Sequence, residues 1–356
     1  MMMDMNRKGV CYDVGRVLDG RNWRPVFDRR EVRRELEIIR DDLHCNAVKI
    51  HAQDVSRLTW TAGQALELGL EAWLGPDLWD EDADATLAYV TSAAQAAEEL
   101  RVRYPGRVYL SVGAELTLFM RGIVPGAALA DRLSHPDLFA AITSEPGTVL
   151  LGDYLRRAAS AVRQVFGGPI TYAALPHERV DWQLFDFTCV DLYRDETNKT
   201  KYARAVEVLG SRGRPLIIGE FGCCTYTGAD RLGGSGYDII DHAVSPPRVL
   251  ARYTRDEELQ AREIAECLVI FDAGGVEGAF VQTFVQPLSV CNADPRFDFD
   301  MASYSLVKSY AGRIGELANE LPDIPWDRRP AGTVYSDMPW DPKRSFSAVA
   351  EYYASH

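Results

Sequence analysis

Pro215-Leu216-Ile217-Ile218-Gly219-Glu220-Phe221-Gly222 decides how the rest of the chain is read. A short apolar run ends in a carboxylate flanked by glycines. A run of about four to eight apolar residues bounded by turn signals reads as a strand buried on both faces. A Glu at its carboxyl end stands at the mouth of whatever the sheet encloses, or caps the helix that follows. The glycines admit the close approach of backbone or substrate.

Working outward, the same unit recurs. Strand-like runs fall at 8–14, 46–51, 70–76, 107–115, 169–174, 187–193, 215–222 and 276–284. Helical patterns lie between most of them. Asp28-Arg29-Arg30-Glu31 has the form of a helix start, followed by Val32, Leu36, Ile39 and Leu43 at helical spacing. Further helices are predicted over 55–68, 85–104, 149–165 and 201–209, and from a Thr254-Arg255-Asp256-Glu257 capping box to Ala273. A closing helix is predicted over about 304–317, then a Pro-rich tail with a short helix over 342–353.

Strands alternating with helices imply βαβ units and a parallel sheet. Eight such strands predict an α/β protein, a single (β/α)8 TIM barrel with long loops after strands 4 and 7. The alternative is an open doubly wound sheet. It is opposed by the absence of G-x-G-x-x-G after the first strand and of G-x-x-x-x-G-K-[ST] anywhere. The chain reads as one domain over 1–356, with the C-terminal tail and short helix at 320–356.

With 47% hydrophobic and 26% charged residues, the 356-residue chain has ordinary globular composition. Its net charge of −13 repels nucleic acid and anionic membrane, so neither is an expected partner. The cysteines are Cys11, Cys45, Cys189, Cys223, Cys224, Cys267 and Cys291, an odd number mostly in apolar runs. They read as reduced core thiols of an intracellular protein. No Cys/His spacing of a zinc site occurs, and no metal or cofactor is expected. Residues 1–8 lack an apolar leader region, and no run approaches a membrane span. The expected location is cytoplasmic. The sequence does not set the oligomeric state.

In such a barrel, function sits at the carboxyl ends of the strands. Those ends collect Asp13, His51, Gln53, Asp77, Trp79, Glu115, Tyr193, Asp195, Glu220 and Gln282. This mix suits a neutral polyhydroxylated small molecule. It lacks the Lys/Arg cluster of a phosphate site and the His cluster of a transition-metal site. His177, in the loop after strand five, is a further candidate for binding or is simply solvated. Trp79 reads as a sugar platform or as a packed residue beside a helix cap. Glu115 and Glu220 end strands four and seven and face one another across the mouth. One such carboxyl can protonate a glycosidic oxygen while the other attacks carbon or activates water. A separation of about 5–5.5 Å means retention and roughly 6.5–9.5 Å inversion.

Glu115, Ile218-Gly219-Glu220-Phe221-Gly222, Tyr193 and Asn46-Ala47-Val48-Lys49 together resemble the 4/7 glycoside hydrolase superfamily, clan A, over about residues 8–285. The resemblance implies Glu115 as general acid/base, Glu220 as nucleophile and Tyr193 as a hydrogen-bond donor to the nucleophile. This chain departs from that pattern in three places. Ala114 replaces the usual Asn before the acid/base, where that Asn contacts the sugar 2-OH. Phe280, Gln282 and Phe284 occupy strand eight, where a Trp is common. Lys49 replaces a forked Arg. The runs Phe185 to Asp195 and Gly219 to Tyr226 also resemble bacterial barrel proteins labelled abortive-infection proteins.

The expected function is that of a cofactor-independent retaining glycoside hydrolase acting on a small glycoside or glycosylated metabolite. Asp13, His51, Asp77, Trp79, Asp195 and Gln282 would line its pocket. Two alternatives stay open. The same carboxylate pair could run isomerisation, cyclisation or lyase chemistry, which a substrate without a 2-OH would explain. The barrel could instead bind a ligand without turnover, or serve in phage defence. The Gly-rich loop 223–253 and the insertion 117–146 are expected to form a lid or pocket wall, or else to be surface excursions.

Overall fold

The computed structural model describes residues 5–18, 20–311, 320–327, 329 and 334–356. Eight parallel strands close into a barrel. They are β1 (Arg7–Asp13), β2 (Ala47–Ala52), β3 (Glu71–Pro76), β4 (Val108–Ala114), β5 (Ile170–Ala174), β6 (Thr188–Asp191), β7 (Leu216–Phe221) and β8 (Gly278–Val281). Each pairs with its chain neighbour, and β8 returns to β1 through pairs such as Gly9 with Phe280. Runs such as Ala47–Ala52 and Leu216–Phe221 are buried throughout. This is why they are apolar without alternation.

Helices cover the outside: α1 (Arg29–Asp41), α2 (Val55–Glu67), α3 (Ala83–Arg103), α4 (Glu145–Val165), α5 (Tyr202–Gly210), α6 (Glu257–Ala273) and α7 (Arg344–Ser355). Asp28 caps α1, its Oδ1 accepting from the backbone N–H of Arg30 at 2.8 Å and Glu31 at 3.4 Å. Val32, Leu36 and Ile39 are fully buried against the strands. Each such side chain contributes about 1.5–3 kcal/mol on leaving water.

The amino end of the barrel is plugged. Trp73 stacks on Tyr109 with centroids 4.3 Å apart, beside Phe187 and Phe280. Arg7 lies over the Tyr109 ring at 5.1 Å and pairs with Glu71 at 2.7 Å. Ligand access is therefore left to the carboxyl end.

Between β5 and β6, where no helix is predicted, the connection holds only a 3-10 turn, Trp182–Leu184. Two elements differ from the sequence expectations. The N-cap of α6 is Asp256, whose Oδ1 accepts from Leu259 N at 2.9 Å, and not Thr254. The expected closing helix is replaced at Val307–Ser309 by a strand antiparallel to Trp340–Pro342, with Val307 and Ser309 buried and Lys308 half-buried between them. That is a period of two, not 3.6. Residues 312–317 of the expected helix lie outside the described residues. The tail is stitched onto the barrel. Tyr353 donates to Gly9 O at 3.0 Å, Lys8 donates to Tyr353 O at 3.0 Å, and Trp340 Nε1 donates to Glu35 at 2.7 Å. Packed on α6 and β1, α7 is the outer helix beyond β8.

The long loops after β4 and β7 are built structures. The first holds short helices Leu116–Phe119, Leu129–Leu133 and Leu138–Thr143. Buried Arg132 ties them together by donating to Gly126 O at 3.2 Å and pairing with Asp80. The second carries an Ile240–Asp241/Arg248–Val249 ladder. It has its own apolar cluster, in which Cys224, Tyr226, Ile239 and Val249 pack with Phe299, Met301 and Tyr304. All seven cysteines are unpaired, and Cys291 alone is not fully buried. Among the described residues no helix is long and apolar enough to cross a membrane.

Candidate active site

Glu220 stands at the carboxyl end of β7, as its strand predicts, with 12% of its side chain exposed. Its two oxygens have different neighbours. Oε1 accepts from Arg16 Nη2 at 3.2 Å and lies 3.8 Å from both Lys49 Nζ and His51 Nε2. Oε2 accepts from the Tyr193 hydroxyl at 3.2 Å. Burial pushes this carboxyl up, but Lys49 and then Arg16 outweigh it and hold Glu220 below the ordinary range.

Arg16 is organised in turn by the ends of β1 and β3. Its Nε donates to Asp77 Oδ2 at 2.8 Å and lies 3.6 Å from Asp13 Oδ2. Asp13 Oδ1 accepts the backbone N–H of Gly15 at 2.8 Å and Arg16 at 3.0 Å, fixing the loop that carries Arg16. His51 Nδ1 bonds Asp77 Oδ2 at 2.9 Å. Burial, then Arg16 and Lys49, press the imidazole well below its usual pKa, so it is neutral. Nδ1 is placed to donate to Asp77 Oδ2, an arrangement that turns the Nε2 lone pair towards Glu220. Arg16 also lies 5.7 Å from the Trp79 ring, which stacks on Phe119 at 4.2 Å. Asp13, His51, Asp77 and Trp79 are thus brought together around Glu220.

Glu115 follows β4 and adopts φ 46°, ψ 41°. The left-handed region costs a non-glycine residue about 1–2 kcal/mol and persists only where the surroundings impose it. Here they do. Glu115 N–H donates to Ala173 O at 2.8 Å. The next turn is clamped by Glu178, which accepts from Thr117 N at 3.0 Å, Thr117 Oγ1 at 2.7 Å, Tyr172 OH at 2.9 Å and Leu175 N at 3.0 Å. Burial, then Asp191, Glu220 and Glu178, push the half-buried Glu115 carboxyl well above the ordinary range. Among the described residues no salt bridge reaches it.

The remaining candidates are more scattered. Gln282 ends β8 with its Oε1 buried and without a hydrogen bond among the described residues. Its backbone carbonyl packs where a Cβ at Gly222 would lie 2.6 Å away, the close approach that this glycine permits. Asp195 Oδ1 accepts from Thr197 N, Thr197 Oγ1 and Asn198 N, an arrangement that shapes its own turn. His177 is exposed, its ring edge on Phe139 at 4.9 Å. Neither joins the network around Glu220.

Sequence reasoning passed over Arg16, Glu178 and Asp191. Asp191 and Lys49 carried a usable signal, a charged residue inside an otherwise apolar strand. Arg16 lies in a polar loop and carried none.

Cys11 Sγ, one ring nitrogen of His51 and one oxygen of Glu220 lie within 4.8 Å of one another. They do not suit a divalent cation. Arg16 and Lys49 already stand against Glu220, and burial raises the Cys11 thiol far from its thiolate form.

No protein-family model matches the chain, and no curated protein matches it. Solved structures do. A GH113 β-1,4-mannanase complex is similar with a TM-score of 0.59 at 13% identity, over 99% of this chain and 100% of that one. A β-glucuronidase from Ruminococcus gnavus in complex with D-glucaro 1,5-lactone gives 0.56 at 13% identity, over 98% of this chain and 49% of that one. Bacteroides uniformis β-glucuronidase 2, covalently bound to cyclophellitol-6-carboxylate aziridine, gives 0.54 at 14%, over 88% and 34%. The chain spans the whole of the mannanase and about half or less of these glucuronidase chains. At such identities the likeness establishes the fold alone, a (β/α)8 TIM barrel. The likeness to abortive-infection barrels has no counterpart among these three.

Proposed function

We propose that the protein is a retaining glycoside hydrolase acting on a small glycoside or a glycosylated metabolite. One observation carries the reading. Two carboxyls on opposite sides of the barrel mouth are driven apart in acidity. Lys49, Arg16 and the Tyr193 hydroxyl hold Glu220 below the ordinary carboxylate range, while burial and neighbouring acids push Glu115 well above it. Environments that separate two carboxyls in this way assign them the roles of base and acid.

In this mechanism Glu220 attacks the anomeric carbon, and Glu115 protonates the leaving oxygen. Water then attacks the same carbon as Glu115 takes its proton, and Glu220 leaves as a carboxylate. Tyr193 orients Glu220 through Oε2. Asp13, His51, Asp77, Trp79 and Gln282 shape the site around the sugar, with Asp195 and His177 at its margin. No cofactor is needed. The whole chain acts as one domain, its tail supplying the outer helix α7 beyond β8, and the protein works inside the cell.

The non-hydrolytic reading keeps the same two carboxyls. Ala114, packed beside the barrel interior, favours it, because no side chain there can grip a 2-OH. A panel of aryl glycosides followed by ¹H NMR separates the two. The proposal expects aglycone release with retained anomeric configuration. Inversion, or no release from any neutral or charged sugar in the panel, would sink it.

A further inference from the structure

Gly219 has no side chain, and the space beside it is filled by two buried charges. A Cβ there would lie 2.4 Å from Asp191 Oδ1 and 3.3 Å from Lys49 Nζ. Asp191 is 2% exposed and Lys49 4%. Lys49 donates to Gly219 O at 3.1 Å, and stands 3.6 Å from Asp191 Oδ1 and 3.8 Å from Glu220 Oε1. A register shift between β6 and β7 sets Asp191 level with Glu220. Among the described residues neither Asp191 oxygen accepts a hydrogen bond. A buried carboxylate without hydrogen bonds is destabilising, and no cap, turn or clamp accounts for this one. One ammonium is shared by two carboxylates, only one of which reaches the sugar.

We propose that Lys49 and Asp191 are a positioning pair for the nucleophile, in which Asp191 takes up the Lys49 charge when Glu220 gives up its own. The idea rests on the glycosidase reading above. When Glu220 attacks, its oxygen bonds to the anomeric carbon and the bond from that carbon to the leaving oxygen breaks. The electron pair goes to the leaving oxygen, which takes the Glu115 proton. Glu220 is then a neutral ester. Lys49 alone would be an uncompensated buried cation, which proteins tolerate poorly. Asp191 is already beside it, so the ammonium shifts its pairing without losing it. Water attack restores the Glu220 carboxylate, and Lys49 is shared again. Neither residue touches the reacting atoms.

Two measurements test the pair. The first needs no substrate. Protein labelled with ¹³C at the aspartate side-chain carboxyl is titrated by NMR, with Asp191 assigned by its loss in Asp191→Asn. In Glu220→Gln, which like the ester carries no charge, Lys49 belongs to Asp191 alone, and the Asp191 ionisation constant rises at least threefold. An unchanged constant in the folded variant overturns the proposal. If Glu220→Gln does not fold, Lys49→Gln serves. It is expected to lower the Asp191 constant at least tenfold, and an unchanged constant again overturns the pair.

The second is inactivation by activated 2-deoxy-2-fluoro glycosides. Asp191→Asn is expected to slow the limiting inactivation rate at least tenfold and leave the half-saturating concentration within twofold. The opposite split marks a binding or structural role and contradicts the proposal. Absence of any adduct on the unmodified protein removes the glycosidase reading and the hand-over with it. The titration then decides the charge sharing on its own.

Discussion

Glu115 and Glu220 are the same side chain in opposite surroundings. Glu220 has two cations and a hydroxyl within reach, whereas Glu115 has acids for neighbours and a strained backbone. Their variants should therefore fail differently. Glu115→Gln is expected to lower kcat/KM by about 10²–10⁴ for glycosides with poor leaving groups. Aglycones that need no proton should be affected far less, and a leaving-group series reads the difference. Tyr193→Phe removes a hydrogen bond to a charged group, worth about 1.5–3 kcal/mol. It should cost roughly 10–100-fold in kcat/KM with an unchanged circular dichroism spectrum. At this scale the sequence was informative where a strand ends in a carboxylate. Glu115, Glu220, Asp13 and His51 all follow from strand ends. Arg16 did not, because a loop side chain has no periodicity to betray it. Asp191 was passed over, although a carboxylate closing an apolar strand is a usable signal, because the predicted strand runs on to Tyr193, two residues beyond.

Between residues and barrel stand the elements that hold each carboxyl in place. The turn after β4 is set by Glu178, a residue of the β5 loop next to the more conspicuous His177. Glu178→Ala leaves Thr117, Tyr172 and Leu175 without their shared acceptor. It should destabilise the protein by at least about 2 kcal/mol in urea unfolding and also disturb Glu115. At the start of α6, Asp256→Ala should cost about 1 kcal/mol by the same measurement, whereas Thr254→Ala should cost little. Most elements were legible from apolar runs and caps. The connection beyond β8 was not. Val307, Lys308 and Ser309 alternate in burial over too few residues to be told from a helix, and their strand pairs with Trp340–Pro342, which returns from the tail. The cap of α6 was misplaced by two residues because Thr254 and Asp256 are both good cap residues, and only backbone geometry chooses.

At the scale of the whole molecule, one end of the barrel is sealed by Arg7 over stacked aromatics. The other gathers buried acids that the fold holds at a cost. Burial raises Glu115 above its unfolded value near 4.5. Between those two values the folded state keeps a proton that the unfolded state has released, so stability falls as pH rises through the interval. Glu115→Gln removes this contribution. Its melting temperature should match that of the unmodified protein below about pH 4.5, then exceed it increasingly with pH, by about 2–4 °C for each kcal/mol. Asp191, pushed up to about 7 by burial, adds to the same trend. Thermal melts across pH, with and without the substitution, check the sign.

The central claim is that Glu220 is a nucleophile towards the anomeric carbon of a sugar. A panel of activated 2-deoxy-2-fluoro glycosides, read by intact mass and peptide mapping, tests it most directly. The account predicts a stable single adduct on the peptide carrying Glu220, absent in Glu220→Gln. An adduct on another residue, or none from any sugar in a panel spanning neutral, amino and uronic types, would contradict it.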